Sequence, residues 1–317
     1  MYYDRRIPPE LLNVLLPGAA LGWLLPWLAT PAAAAVGAHV QTRRNELERR
    51  TGAIQLYVGR TSPLEVRARR RGRVRLHADP RYEAMTPELF GHDLELSDLA
   101  RASGALREHS ERAAAETVQS FVAGEGAVHA GLMRHYGHFA TSDGPFIALD
   151  SEAKMGFSCD AHRKAFGATV RALVALPSAQ QLPSKLDLVA VDRLGHVLLV
   201  EVKADASGLL RAAWQAAVHV ARFRALLVEH PAWVTNVLRE IAVEKVRIGL
   251  LGSAGVPPLA PTSGLTPVIA APDPSEGWAA SWRREIAPVL SASGGALTGL
   301  RLWRLAADGR VVEDIAA

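Results

Sequence analysis

Residues 185–205, KLDLVAVDRLGHVLLVEVKAD, constrain the fold more than any other stretch of the chain. Two short apolar runs flank the tetrapeptide DRLG. Runs of this length bounded by turn residues read as strands that are covered on both faces. Such strands belong in the middle of a sheet packed by helices. Yet the same runs carry Asp187, Glu201 and Lys203.

The turn sets which of these side chains meet, because slipping the register by one residue moves every side chain to the other face. A two-residue loop, Arg193–Leu194, would place Asp187 opposite Val200. A three-residue loop suits the residues better. Asp192 fits the first position of a type I turn, and Gly195 fits the left-handed position that closes it as a bulge. Asp192 then pairs with His196, and Asp187 faces Glu201 with Cβ atoms about 4.5–5.5 Å apart. Lys203 follows on the same face, about 6.7 Å along the strand. Two carboxylates about 5 Å apart repel by roughly 3 kcal/mol at an effective dielectric near 20. Either one of them holds a proton or a cation lies between them. Hard oxygen ligands with no Cys or His cluster nearby favour Mg²⁺ or Mn²⁺.

The rest of the composition mostly excludes. The single cysteine, Cys159, rules out an internal disulfide and fits a reducing compartment. No Cys and His spacing points to zinc. Only Lys154, Lys164, Lys185, Lys203 and Lys245 are lysines, and the other basic residues are arginines. With so much alanine this reflects base composition, so arginine abundance says little about DNA, whereas each lysine stands out.

Residues 11–38, LLNVLLPGAALGWLLPWLATPAAAAVGA, carry no charge. Such a length can span a membrane. Pro17, Pro26 and Pro31 break it up, however, Pro8 and Pro9 mark a helix start, and Arg5, Arg6, Arg43 and Arg44 flank both ends. Asp4 and Glu10 occupy the place of a signal peptide's basic region. The expectation is short buried helices, with a membrane or export segment as the alternative; a cytoplasmic protein without a membrane partner follows.

Three regions are expected. Residues 1–100 hold the helical pieces and then short strands over 38–76, with a hairpin tip bearing Arg67, Arg69, Arg70, Arg71 and Arg73. That tip reads as a solvated turn or as a phosphate-contacting loop. Region 1–100 also offers a surface for a protein partner or a second copy of the chain. Residues 101–252 form an α/β core: helices over 93–136 with a break near Gly124 and Gly126, a strand at 145–150, a helix at 160–176, the hairpin, a helix at 208–229, and a strand at 245–252 (KVRIGLLG). Residues 253–317 follow as an extension packed on that core, with a Pro- and Gly-rich connector, a helix near 275–290 and a final hairpin.

The helix at 208–229 is expected to set Leu210, Trp214, Ala217 and Ala221 on an apolar side. Arg211, Gln215, His219 and Arg222 form a polar stripe beside it. Arginine and glutamine at a site's edge suit a phosphodiester backbone; an ordinary solvated face is the plainer reading.

Asp187 followed by Glu201-Val202-Lys203, in the order helix, strand, strand, strand, helix, strand, resembles the PD-(D/E)XK nuclease superfamily, the restriction-endonuclease-like fold. The resemblance covers about half the chain, and Leu186 stands where the family name has proline. It implies an α/β fold with a mixed central sheet flanked by helices, an αβββαβ core, beside a smaller N-terminal α+β region. It also implies a Mg²⁺-dependent deoxyribonuclease, with Mn²⁺ able to substitute. Asp187, Glu201 and the Val202 carbonyl would hold the metal. Lys203 would orient or help deprotonate the attacking water. A glutamate from the first core helix often joins them: Glu125 is the first choice and Glu116 the second. Gln215 matches the glutamine of a Gln-x-x-x-Tyr pattern found in a recombination-exonuclease branch, with His219 in place of the tyrosine. Arg211, His219 and Arg222 would contact DNA. The alternative is a scaffold of this type that has lost catalysis and binds nucleic acid or protein.

Overall fold

The computed structural model describes residues 3, 8–44, 52–59, 61–117, 124–138, 144–178, 180–252, 259 and 264–317. The chain forms two compact units. One comprises Asp4–Val122 and Glu240–Ser253, the other Met1–Tyr3, Ala123–Arg239 and Ala254–Ala317. This division differs from the expected one. The long helix near residue 110 belongs with the N-terminal strands, and the C-terminal region belongs to the same unit as the hairpin.

In the first unit the prolines cut the apolar stretch into short helices, α1 (Pro9–Leu12), α2 (Leu24–Leu28) and α3 (Pro31–Ala35). Thr30 caps α3 by accepting from the Ala33 N–H, and Pro31 takes the first helical position, where no N–H is needed. Leu11, Leu15, Leu21 and Leu24 are buried in the unit's core. No helix among the described residues is long and apolar enough to cross a membrane. Asp4, Arg5, Arg6 and the side chains of Arg43 and Arg44 lie outside the described residues.

The expected short strands follow as an antiparallel meander: β1 (His39–Arg44), β2 (Gly52–Val58), β3 (Thr61–Ala68) and β4 (Arg73–His77). After α4 (Pro80–Glu83), β5 (Asp93–Glu95) completes the sheet and α5 (Leu99–Thr117) packs on β2 and β3. Ile54, Leu56, Val66, Val74 and Leu76 point into the core that Leu106 covers. At the arginine tip Arg71 adopts a left-handed backbone (φ 61°), and Arg70 and Arg71 are exposed.

The second unit is built on a six-stranded sheet covered on both faces. In chain order its elements are α6 (Glu125–Tyr136), β6 (Phe146–Ala153), α7 (Asp160–Leu173), β7 (Leu186–Asp192), β8 (Val197–Val202) and α8 (Leu209–Glu229). There follow α9 (Pro231–Arg247), whose last residues are counted with the first unit, then β9 (Thr266–Pro272), α10 (Trp278–Ala292), β10 (Arg301–Leu305) and β11 (Val311–Ala316). The strands lie side by side in the order of the sequence, β6 to β11. The contacts β8–β9 and β9–β10 are parallel and the others antiparallel. Alternation splits the sheet's side chains. Leu188, Ala190, Leu198, Val200 and Val202 pack under α6, while Ile269, Ala271 and Leu302 pack under α7, α8 and α10.

Residues 245–252, expected as a strand, are instead the end of α9 and its cap. Gly249 takes the left-handed conformation (φ 81°), and the Leu250 N–H donates to the Lys245 carbonyl. The strand that follows α8 and α9 in the sheet is β9, in TPVIAAP, where Pro267 and Pro272 stand near its two ends. Most of the connector 253–264 lies outside the described residues.

Candidate active site

The turn between β7 and β8 is the three-residue one. Gly195 has φ 85°, its N–H donates to the Asp192 carbonyl, and the Asp192 N–H donates to His196. The Asp192 carboxylate accepts from the N–H groups of Leu194 and His196, which pins the loop. Leu188 pairs with Val200 and Val191 with Val197, a register that sets Asp187 opposite Glu201. Beyond the ladder, Asp187 Oδ2 accepts from the Val202 N–H at 2.8 Å, and the Lys203 N–H donates to Ala270 of β9 at 2.9 Å. The backbone thereby holds all three side chains at one end of the sheet.

The charges converge on the lysine. Its Nζ lies 3.6 Å from Glu201 Oε2, 3.8 Å from Asp187 Oδ2 and 3.9 Å from Glu125 Oε2, and it donates to the Val202 carbonyl at 2.8 Å. Glu125, at the start of α6, is thus brought to the site. Glu116 is not: it lies on α5 in the other unit, with Arg112 as its ion partner at 3.8 Å. Glu152 of β6 pairs with Lys185 at 3.2 Å.

Burial differs sharply among the members. Glu201 is 1% exposed, and desolvation, then the charge of Asp187, push its carboxyl well above the usual range. Lys203 opposes this shift without cancelling it. Burial and the neighbouring Asp187 thus favour the protonated form of Glu201, and the Lys203 ammonium gathers the surrounding oxygens. The expected repulsion is met by a proton and a cation together.

Behind Glu201 stands His219. The helix α8 is buried on most of its circumference, and His219 is 3% exposed, with Nε2 3.4 Å from Glu201 Oε1. Neither of these two atoms makes a full hydrogen bond among the described residues. Burial, then the charge of Arg222, lower the imidazole pKa to about 3, so the ring is neutral. His219 is thus a buried neighbour of Glu201 and not the surface DNA contact expected. Arg222 is turned inward too: its guanidinium donates to the Pro183 carbonyl, and burial lowers its pKa to about 10. Of the expected stripe, Arg211 is exposed and Gln215 half-buried. On the apolar side Trp214, Ala217 and Ala221 are buried as expected, whereas Leu210 is 41% exposed.

Two residues escaped the sequence reading. His129, one turn after Glu125 on α6, approaches the Asp187 carbonyl at 3.0 Å through Nε2; its i+4 spacing from Glu125 is the signal that could have found it. Gly208 lies against the lysine stem, where a Cβ would meet Lys203 Cδ at 3.0 Å. No local pattern marks that contact.

Asp187, Glu201 and the Val202 carbonyl are hard oxygen donors of the kind that suits Mg²⁺ or Mn²⁺, and Glu201 Oε1 is a buried oxygen without a full partner. Among the described residues, no group of three or more His, Cys, Asp or Glu side chains is arranged to hold a metal ion. The carboxylates are instead spread around the ammonium. Comparisons of the chain with protein-family models, with curated proteins and with solved structures found no match.

Proposed function

We propose that this chain is a metal-dependent nuclease that hydrolyses DNA phosphodiester bonds, built on a restriction-endonuclease-like core. The observation that carries this reading is the convergence of Asp187, Glu201, Glu125 and the Val202 carbonyl around Lys203. The elements α6, β6, β7, β8, α8 and β9 also support it, since they follow the helix, strand, strand, strand, helix, strand order that the resemblance implies, with α7 inserted between β6 and β7 and α9 between α8 and β9. Asp187, Glu201 and the Val202 carbonyl would hold a divalent ion, with Glu125 at the rim. When bound, such an ion polarises the scissile phosphate, lowers the pKa of water and stabilises the leaving oxygen. Glu201 would serve as a ligand in its carboxylate form. Lys203, beside the same oxygens, would orient the attacking water by hydrogen bonding. Arg211, exposed on α8, supplies a positive charge for the strand.

A second reading is favoured by one feature. The Lys203 ammonium already lies within 3.9 Å of all three carboxylates, as it would in a scaffold of this type that binds nucleic acid or protein without cutting.

Purified protein incubated with DNA separates the two readings. Cleavage that needs Mg²⁺ or Mn²⁺, stops with EDTA and disappears in Asp187→Ala supports the nuclease. Equal trace activity in wild type and variant identifies a contaminant. DNA affinity that survives Glu201→Ala, without cleavage under any metal, favours the binding module.

A further inference from the structure

Beside the carboxylate cluster, and outside it, lies a cavity of about 600 Å³. One wall is α8, which contributes Arg211, Trp214 and Gln215. The other is the chain entering β7, which contributes Gln180, Gln181 and Lys185 among others. We propose that this cavity is a subsite for one unpaired nucleotide of a single strand, held next to the bond to be cut. The proposal rests on the nuclease reading for its biological meaning, and on the cavity for its chemistry.

Three observations point to that ligand. The volume falls in the range that takes a small molecule. Its charged lining is positive, from Arg211 and Lys185, with no carboxylate, so an anion is favoured. Lys185 shares its charge with Glu152, whereas no ion pair engages Arg211 among the described residues. The remaining lining is that of a base pocket. Gln180, Gln181 and Gln215 present amides, which can donate and accept together at a base edge, and Trp214 adds an aromatic wall. Gln215 Oε1 is buried and has no hydrogen-bond partner among the described residues, so an acceptor stands ready for a donor.

The pocket is also braced. The guanidinium of Arg171 on α7 donates to the carbonyls of Pro177 and Gln180, and that of Arg222 on α8 donates to the Pro183 carbonyl. Arg222 thereby ties the wall to α8 and Arg171 ties it to α7, which accounts for the inward turn of Arg222. Position links the pocket to the cluster. Lys185 is two residues before Asp187, and Gln215 precedes His219 by one helical turn, about 6 Å along the axis. A base paired in a duplex is stacked between neighbours and cannot enter such a cavity without leaving the stack. The subsite therefore selects single strands, ends or flaps.

The test is binding without cleavage. Fluorescence anisotropy in EDTA compares a labelled single-stranded oligonucleotide with its duplex at one salt concentration, for wild type, Arg211→Glu and Gln180→Ala/Gln181→Ala. The single strand is expected to bind wild type about tenfold more tightly than the duplex, and both variants to lose most of that preference, with duplex affinity retained in Gln180→Ala/Gln181→Ala. A nucleoside monophosphate should compete with the single strand. Equal affinity for the two forms, or a preference unchanged in both variants, overturns the proposal. Because no metal is present, this outcome is independent of whether Mn²⁺ supports cleavage, so the subsite and the nuclease reading can fail separately.

Discussion

The molecule holds two concentrations of charge that differ in what surrounds them. At the end of β8, Glu201 and His219 are almost wholly buried and Lys203 nearly so. At and beside the arginine tip of the N-terminal sheet, Arg67 pairs with Glu65, Arg73 with Glu95 and Arg75 with Asp93, in groups 16% to 56% exposed. Water screens the second set, and each pair is close to neutral for stability. The first set has no water to retreat to, so its protonation states are fixed by its neighbours. Buried charges report a task in a way that numerous surface arginines do not.

The largest effect that sharpens this contrast is the loss of the central cation. Lys203→Met should destabilise the protein by about 3 kcal/mol, the low end for breaking a buried ion pair because Glu201 already holds a proton; the urea midpoint measures it. A loss no greater than that of a surface variant would break the contrast.

Next comes pH. Between the folded histidine value of about 3 and the raised value of Glu201, the folded pair of Glu201 and His219 holds one proton, on Glu201. Unfolded, the two groups return to their ordinary values of 4.5 and 6.5 and hold two protons below 4.5, one between, and none above 6.5. The pair's contribution to stability is therefore level between those values. It falls as pH drops below 4.5 towards the folded histidine value of about 3, and as pH rises above 6.5 towards the raised value of Glu201, by up to about 1.4 kcal/mol per pH unit. Glu201→Gln should accordingly gain stability relative to wild type as pH rises from 4.5 towards the raised value of Glu201 in urea unfolding; a parallel pair of curves would contradict this.

Smaller still is Gly208→Ala, which presses a methyl group on the Lys203 stem. A cost below about 1 kcal/mol is expected in the melting curve, with about a tenfold loss of any metal-dependent cleavage rate, since small misplacements at a site are costly. Arg71→Gly, at φ 61°, should stabilise by up to about 1 kcal/mol. Arg75→Ala should leave the urea midpoint unmoved despite its 2.6 Å contact with Asp93.

How much of this was legible in the sequence follows from how local each cause is. The register of β7 and β8 hangs on Asp192 and Gly195, three positions apart, and was readable. The short helices of residues 9–35 follow from their prolines. The apolar run 245–252 misled because a buried strand and the end of a buried helix share that composition, and Gly249 as a cap was the overlooked sign. Strand β9 was hidden because Pro267 and Pro272 argue against a strand, though both stand near its ends. The inward turn of His219 and Arg222 was not readable. A helix stripe looks the same whether water or a second layer covers it, and here α7, α10 and the sheet cover α8.

Melting temperature during a Mn²⁺ titration, wild type beside Asp187→Asn, probes the carboxylate cluster at its simplest. Asparagine keeps an oxygen for the Val202 N–H and removes one charge, so the fold is retained while the ligand is weakened. Wild type should gain about 2.7 kcal/mol of apparent stability at a hundredfold excess over its dissociation constant, and the variant clearly less. Identical curves for the two proteins, or no rise in either, would mean that the oxygens gathered around Lys203 do not form a metal site.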